Sequence, residues 1–193
     1  MRHLCTFSQQ PHPVHQAKLL PHTFLILAAA ASVGVAAQPA SGAPEPTSCA
    51  TNPEARQLDF WVGDWSIASP GAGPSATSKV YLDLDKCLVV ESWDGGKDHR
   101  GMNMFAYASG EKSWRGMFVD NEGRAHIFAD GKVAAGSAEF VGPSRGPNGE
   151  AVLNRIRVVR LAGGKVEQTW DKSFDNGATW TSQFRLEYSR KAN

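Results

Sequence analysis

Phe60-Trp61-Val62-Gly63-Asp64-Trp65 is the stretch on which the fold turns. Read with the two-residue period of a strand, it puts Trp61, Gly63, Trp65 and Ile67 on one face, and Phe60, Val62, Asp64 and Ser66 on the other. Two indoles on one face, separated by a glycine that lets another segment approach, suit a strand closing the base of a small sheet or barrel. An aromatic core strand is the plain reading, and it identifies an architecture rather than a reaction.

Working outward, short stretches rich in Val, Phe, Tyr, Trp and Thr alternate with glycine-bearing turns from Pro53 to the C-terminus. That spacing marks an antiparallel sandwich or barrel. Pro53 to Leu58 is expected to form one helical turn. About ten strands are expected near 58-68, 77-84, 87-94, 101-108, 113-120, 125-130, 132-141, 150-161, 165-173 and 178-189. No apolar helical period of ten or more residues interrupts them, so a crossover helix and a parallel sheet are not expected. The fold class is therefore all-β, an antiparallel up-and-down β-barrel of about ten strands.

Alternation assigns the faces. Val80, Leu82 and Leu84 point inward in the second strand, whereas in the third Leu88 and Val90 compete with Val89 and Trp93 for the interior. Asp130-Gly131 is expected to form a tight hairpin, with further reversals at Asn148-Gly149 and Gly163-Gly164. A loop at Ala162-Gly163-Gly164 pairs Val158 with Gln168 and Ile156 with Trp170, and sets Arg155 opposite Asp171 outside. A three-residue Asp175-Asn176-Gly177 loop would pair Trp170 with Ser182 and Gln168 with Phe184, keeping Trp170 and Trp180 on one face.

Upstream, Phe24-Leu25-Ile26-Leu27-Ala28-Ala29-Ala30-Ala31 followed by Val35-Ala36-Ala37 reads as a secretory signal over 1-37 with a small-residue cleavage site. The apolar run is too short to span a bilayer comfortably, so no membrane insertion is expected after cleavage, and the localisation is periplasmic or secreted. Residues 38-52, rich in Pro, Ser, Ala and Gly, form a flexible lead-in, and 53-193 form the barrel domain. Without Arg2 and Lys18 the formal charge falls from +1 to −1, and no basic cluster remains to suggest nucleic acid. Of three cysteines, Cys5 leaves with the leader. An oxidising compartment then allows Cys49 to pair with Cys87, two buried thiols being the alternative.

The register leaves Asn154, Gln168 and Ser182 as polar groups on inward faces, where each needs a partner, a water or a ligand. They form either an internal network in a filled barrel or the polar points of a cavity walled by Trp93, Trp114 and Trp170. Glu91 is the only carboxylate in Val89-Val90-Glu91-Ser92-Trp93. Inside, burial would raise its pKa and suit it to acid–base work; outside, it is a solvated strand residue. The candidate ligand-binding set is thus Glu91, Trp93, Trp114, Asn154, Gln168, Trp170 and Ser182. After the leader only His99 and His126 remain, without metal-ligand spacing, although an inward His126 could reach a haem iron. No cofactor or metal is expected, and no nucleophile elbow or phosphate loop is present. Ser173-Phe174-Asp175-Asn176-Gly177-Ala178-Thr179-Trp180 looks like a single Asp-box, a structural hairpin rather than a glycosidase site.

Together FWVGDW (60–65), CLVVESW (87–93), SWRGMFVD (113–120) and SFDNGATW (173–180) resemble a family of exported bacterial proteins of unknown function, related to the DUF1579 group. Gly63-Asp64-Trp65 also resembles the Gly-x-Trp that opens lipocalin and nitrobindin-type barrels. That resemblance implies a lipocalin-like (calycin-type) barrel in which the Trp packs on an Arg of the last strand, here Arg185 or Arg190. It implies no catalytic residue. Three functions compete: a binder of a small apolar molecule, an enzyme acting on such a molecule with Glu91 as acid or base, and a structural or interaction protein with a filled barrel.

Overall fold

The computed structural model describes residues 48–191. The leader expected over 1-37 and residues 38–47 of the lead-in lie outside the described residues. Ten strands follow in order: β1 (Gly63–Ala68), β2 (Ala76–Asp83), β3 (Leu88–Asp94), β4 (Arg100–Ala108), β5 (Ser113–Asp120), β6 (Ala125–Ala134), β7 (Ser137–Arg145), β8 (Ala151–Arg160), β9 (Val166–Ser173) and β10 (Thr181–Arg190). Each pairs antiparallel with its chain neighbour, and β1 also pairs with β10, closing an up-and-down barrel that leaves no free edge. No helix among the described residues is long and apolar enough to cross a membrane.

One end of the barrel is sealed. Two 3-10 turns, Glu54–Arg56 and Asp59–Trp61, lead into β1 and bury Leu58 and Trp61 completely. Trp61 therefore sits in a turn and not, as its period suggested, in a strand that begins near residue 58. It still joins Trp65 in the core, and the Trp65 indole donates to the Trp61 carbonyl at 2.9 Å. Arg190 lies over the Trp65 ring at 4.0 Å and donates from Nη1 to the Val62 carbonyl at 2.7 Å. Gly63 is what admits it, since a Cβ there would lie 1.6 Å from Arg190 Nη1. Arg185 instead pairs with Glu167. At this same end Cys49 and Cys87 are disulfide-bonded, tying the approach to β1 to the β2–β3 turn.

The β8–β9 register is the expected one: Ile156 faces Trp170, Val158 faces Gln168, and Arg155 lies opposite Asp171. Three other expectations are corrected. Asp130-Gly131 is no hairpin, because β6 runs on to Ala134 and turns at Ala135-Gly136, where Gly136 takes φ of +85°. Gly131 instead leaves room for Phe140 and Trp114, whose atoms a Cβ would meet at 2.3 and 2.7 Å. Leu84 does not point inward; it lies in the β2–β3 turn at φ of +48° and is 67% exposed.

The third correction concerns β10. β9 ends at Ser173 and β10 begins at Thr181, so the connection is longer than the expected three-residue Asp175-Asn176-Gly177 loop and sets Ser182 opposite Asp171. An irregularity between Ser182 and Phe184 then puts Phe184 opposite Trp170 and Leu186 opposite Gln168. Ser182 is exposed, not inward, and Trp180 lies outside under the Arg155 guanidinium at 4.1 Å, so the two indoles occupy opposite faces. The preceding loop closes as an Asp-box should. Asp175 accepts hydrogen bonds from Ser173 Oγ, Thr179 Oγ1 and the Thr179 amide, while Gly177 takes φ of +91°. Hydrogen bonds from the Thr179 side chain and amide, then Ser173, lower the Asp175 pKa to about 2.

Candidate functional site: an open cavity over a buried carboxyl

At the end opposite the disulfide, the barrel opens into a cavity of about 470 Å³. Its walls are Trp93, Phe118, Trp170, Phe184 and Leu186, and its floor is Asn103, Gln168 and Tyr188. Strand alternation delivers these side chains, since Gln168 and Trp170 follow one another on the inner face of β9, as do Phe184, Leu186 and Tyr188 on β10. Phe118 and Phe128 both meet the Trp170 ring edge-on, at 5.2 and 5.7 Å between centroids, which fixes the indole as a rigid wall.

Beneath the floor lies Glu91, with no exposed surface. Its Oε1 contacts Ser78 Oγ at 2.9 Å and the Tyr188 hydroxyl at 2.8 Å; its Oε2 accepts from Asn103 Nδ2 at 2.7 Å and Gln168 Nε2 at 3.2 Å. The Tyr188 hydroxyl also lies 3.1 Å from Gln168 Oε1. These are five contacts. Ser78 and Tyr188 have one hydroxyl hydrogen each, and the Asn103 and Gln168 amides aim one each at Glu91, which makes four. The Tyr188 hydroxyl therefore has one hydrogen for two acceptors, Glu91 Oε1 and Gln168 Oε1. A proton on the carboxyl would let Glu91 donate to the Tyr188 oxygen and leave Tyr188 free for Gln168. Turning the Gln168 amide over does not change the count, because its oxygen would then face Oε2 without a hydrogen between them. Burial acts in the same direction, raising the Glu91 pKa although bonds from Tyr188, Asn103, Ser78 and Gln168 oppose it. Tyr188 is raised well above 10 by burial and by Glu91 beside it. The groups that face the cavity from the floor, Asn103, Gln168 and Tyr188, are themselves uncharged, and the cluster they form with Glu91 is nearly saturated in hydrogen bonds. Only Asn103 Oδ1 among its side-chain atoms is buried without a partner.

Charge enters at the mouth. Arg124 and His99 line it from the loops beside β5 and β3, and His126 and Lys172 from β6 and β9. Arg124 is compensated, lying 2.6 Å from Asp120 and 3.0 Å from Glu122, with His99 Nε2 at 2.9 Å. Burial alone would raise Asp120, but hydrogen bonds from the Arg124 side chain and backbone and from the Glu122 backbone lower it. Lys172 has no ion-pair partner among the described residues. His126 lies at 26° to the Phe118 ring and edge-on to Trp170, its Nδ1 buried without a partner. Burial and then the charge of Lys172 lower its pKa, which Asp120 only partly offsets.

Of the residues singled out in the sequence, Trp93, Gln168 and Trp170 line the cavity and Glu91 underlies it. Asn154 is buried behind the wall, accepting from Trp170 Nε1 at 3.1 Å and donating to Ser144 Oγ at 2.6 Å. Trp114 belongs to the sealed half, where its Nε1 donates to Gln57 Oε1 at 3.2 Å, and Ser182 lies outside the barrel. His126, singled out only for a haem iron, lines the mouth. Ser78, Asn103, Tyr188 and Lys172 escaped notice, although period-two extension from Val80, Phe105, Leu186 and Trp170 reaches each of them. No group of three or more His, Cys, Asp or Glu side chains suited to a metal occurs among the described residues.

No family model matches the chain, and no curated protein matches it. The site must therefore be read from its own geometry.

Proposed function

We propose that this is an exported, lipocalin-like barrel that binds a small, mainly apolar molecule in the cavity of its open end. The observation that carries the reading is the cavity itself: about 470 Å³, walled by Trp93, Phe118, Trp170, Phe184 and Leu186 and floored by neutral polar groups. That combination of volume, aromatic walls and few polar points is typical of small-molecule sites. The Cys49–Cys87 bond supports an oxidising compartment. The four sequence motifs support placing the chain beside the DUF1579-related exported proteins, and Arg190 stacked on Trp65 supports the lipocalin-like resemblance.

Binding is favoured over catalysis because Glu91, the buried carboxyl singled out as a candidate acid or base, does not line the cavity. Asn103, Gln168 and Tyr188 stand between it and any occupant, and a general acid must reach the atom it protonates. Native mass spectrometry of protein purified from its own host tests the reading. A co-purifying small molecule, lost when Trp170 is changed to Ala, is expected. Failure of both the native protein and a panel of apolar probes to form any complex would refute it.

A further inference from the structure

The walls account for an apolar body, but not for the mouth. Among the residues lining this cavity there is no Asp or Glu, whereas Lys172 projects from the inner face of β9 with no ion-pair partner among the described residues. Arg124 differs, since Asp120 and Glu122 already hold it. An uncompensated ammonium half-buried beside aromatic rings attracts an anion more strongly than one in bulk water. The geometry points to an amphipathic carboxylic acid as the occupant, its hydrocarbon or aromatic body against Trp93, Phe118 and Trp170 and its carboxylate held at the mouth by Lys172.

This rests on the binding reading above and adds the ligand's class. Lys172 lies four residues beyond Gln168 on one face, about 13 Å along the strand. The acid therefore points outward and the apolar end reaches the floor. The polarity follows from the floor, where Asn103, Gln168 and Tyr188 carry no positive charge and direct their hydrogens to Glu91, leaving nothing to receive an ionised acid. His126 provides a reporter, because Lys172 is among the causes that depress it while Asp120 raises it and Arg124 lowers it. A carboxylate at Lys172 would lift that depression.

The test uses two matched probe pairs, decanoate with 1-decanol and 2-naphthoate with 2-naphthalenemethanol, titrated at low salt against tryptophan fluorescence. The acid of at least one pair is expected to bind about tenfold more tightly than its alcohol, the preference shrinking with added salt. Lys172→Met should abolish that preference while leaving alcohol affinity within about twofold, and Lys172→Gln should do the same. His126, followed by NMR, should titrate higher in the acid complex but not in the alcohol complex. Alcohols that bind as tightly as the acids, or a preference that survives both substitutions, would overturn the inference and leave the binding reading standing. No binding by any of the four probes would remove both.

Discussion

At the scale of single residues, Glu91 is the group whose state most affects its surroundings. With a proton, all five contacts of its cluster are satisfied; without it, Tyr188 has one hydrogen for two acceptors. Gln at position 91 can reproduce the protonated arrangement, its amide nitrogen donating where the carboxyl hydroxyl did. Glu91→Gln should therefore cost less than about 1 kcal/mol near pH 5. Glu91→Ala, which strands Ser78, Asn103, Gln168 and Tyr188 around a void, should cost about 3 kcal/mol or more. The pH dependence has a definite sign. A folded pKa above the ordinary 4.5 means that the folded chain holds the proton longer than the unfolded one. This stabilising contribution is complete below about 4.5 and declines as pH rises through the raised folded value. Urea unfolding across that range should show Glu91→Gln gaining on the wild type with rising pH. Tyr188 and the mouth groups His99, Arg124, His126 and Lys172 are present in both proteins, so the difference isolates Glu91. A wild type that gains on the variant instead would mean an ionised carboxylate.

At the scale of elements, close approaches rather than turns explain Gly116, Gly131 and Gly142, the glycines within β5, β6 and β7. A Cβ on Gly142 would lie 1.9 Å from the Ile127 carbonyl oxygen, a backbone atom that cannot rotate away. Gly136, in the true β6–β7 turn, has positive φ but only Arg160 side-chain atoms nearby, the closest at 3.5 Å. Gly142→Ala should thus destabilise by about 3 kcal/mol and Gly136→Ala by about 1 kcal/mol. Equal losses in chemical denaturation would contradict this account of the β6–β7 crossing. The same contrast shows what the sequence could and could not disclose. Asp130-Gly131 carries the dipeptide of a tight turn, and nothing local distinguishes it from a mid-strand glycine making room for Phe140 and Trp114. Where pairing is uninterrupted, as between β8 and β9, apolar parity predicts every partner correctly, down to Arg155 opposite Asp171. Between β9 and β10 the connection is longer than three residues, which sets Ser182 opposite Asp171 with Trp180 outside, and the irregularity at Ser182–Phe184 shifts the later partners again. Parity also contained Tyr188, Asn103 and Lys172. It gave no sign that a tyrosine, an asparagine and a glutamate from separate strands meet, because that depends on how the barrel closes.

At the scale of the whole molecule, the two ends have separate tasks. The disulfide, the 3-10 turns and the Trp65–Arg190 stack all gather at the sealed end, whereas the cavity occupies the other. The Cys49–Cys87 bond closes a loop of 38 residues, a constraint that stabilises by about 4 kcal/mol on the chain-entropy model, mainly by restricting the unfolded chain. That mechanism does not depend on the shape of the open end. Replacing both cysteines with serine should accordingly lower the urea midpoint by an amount equivalent to several kcal/mol, while the affinity of an apolar probe for the folded protein changes by less than about twofold. The comparison requires probe binding under conditions where the variant is still folded, as judged by near-ultraviolet circular dichroism. If instead affinity falls along with stability in the fully folded variant, the sealed end must set the geometry of the mouth, and the barrel behaves as one coupled body rather than a fixed base carrying an independent cup.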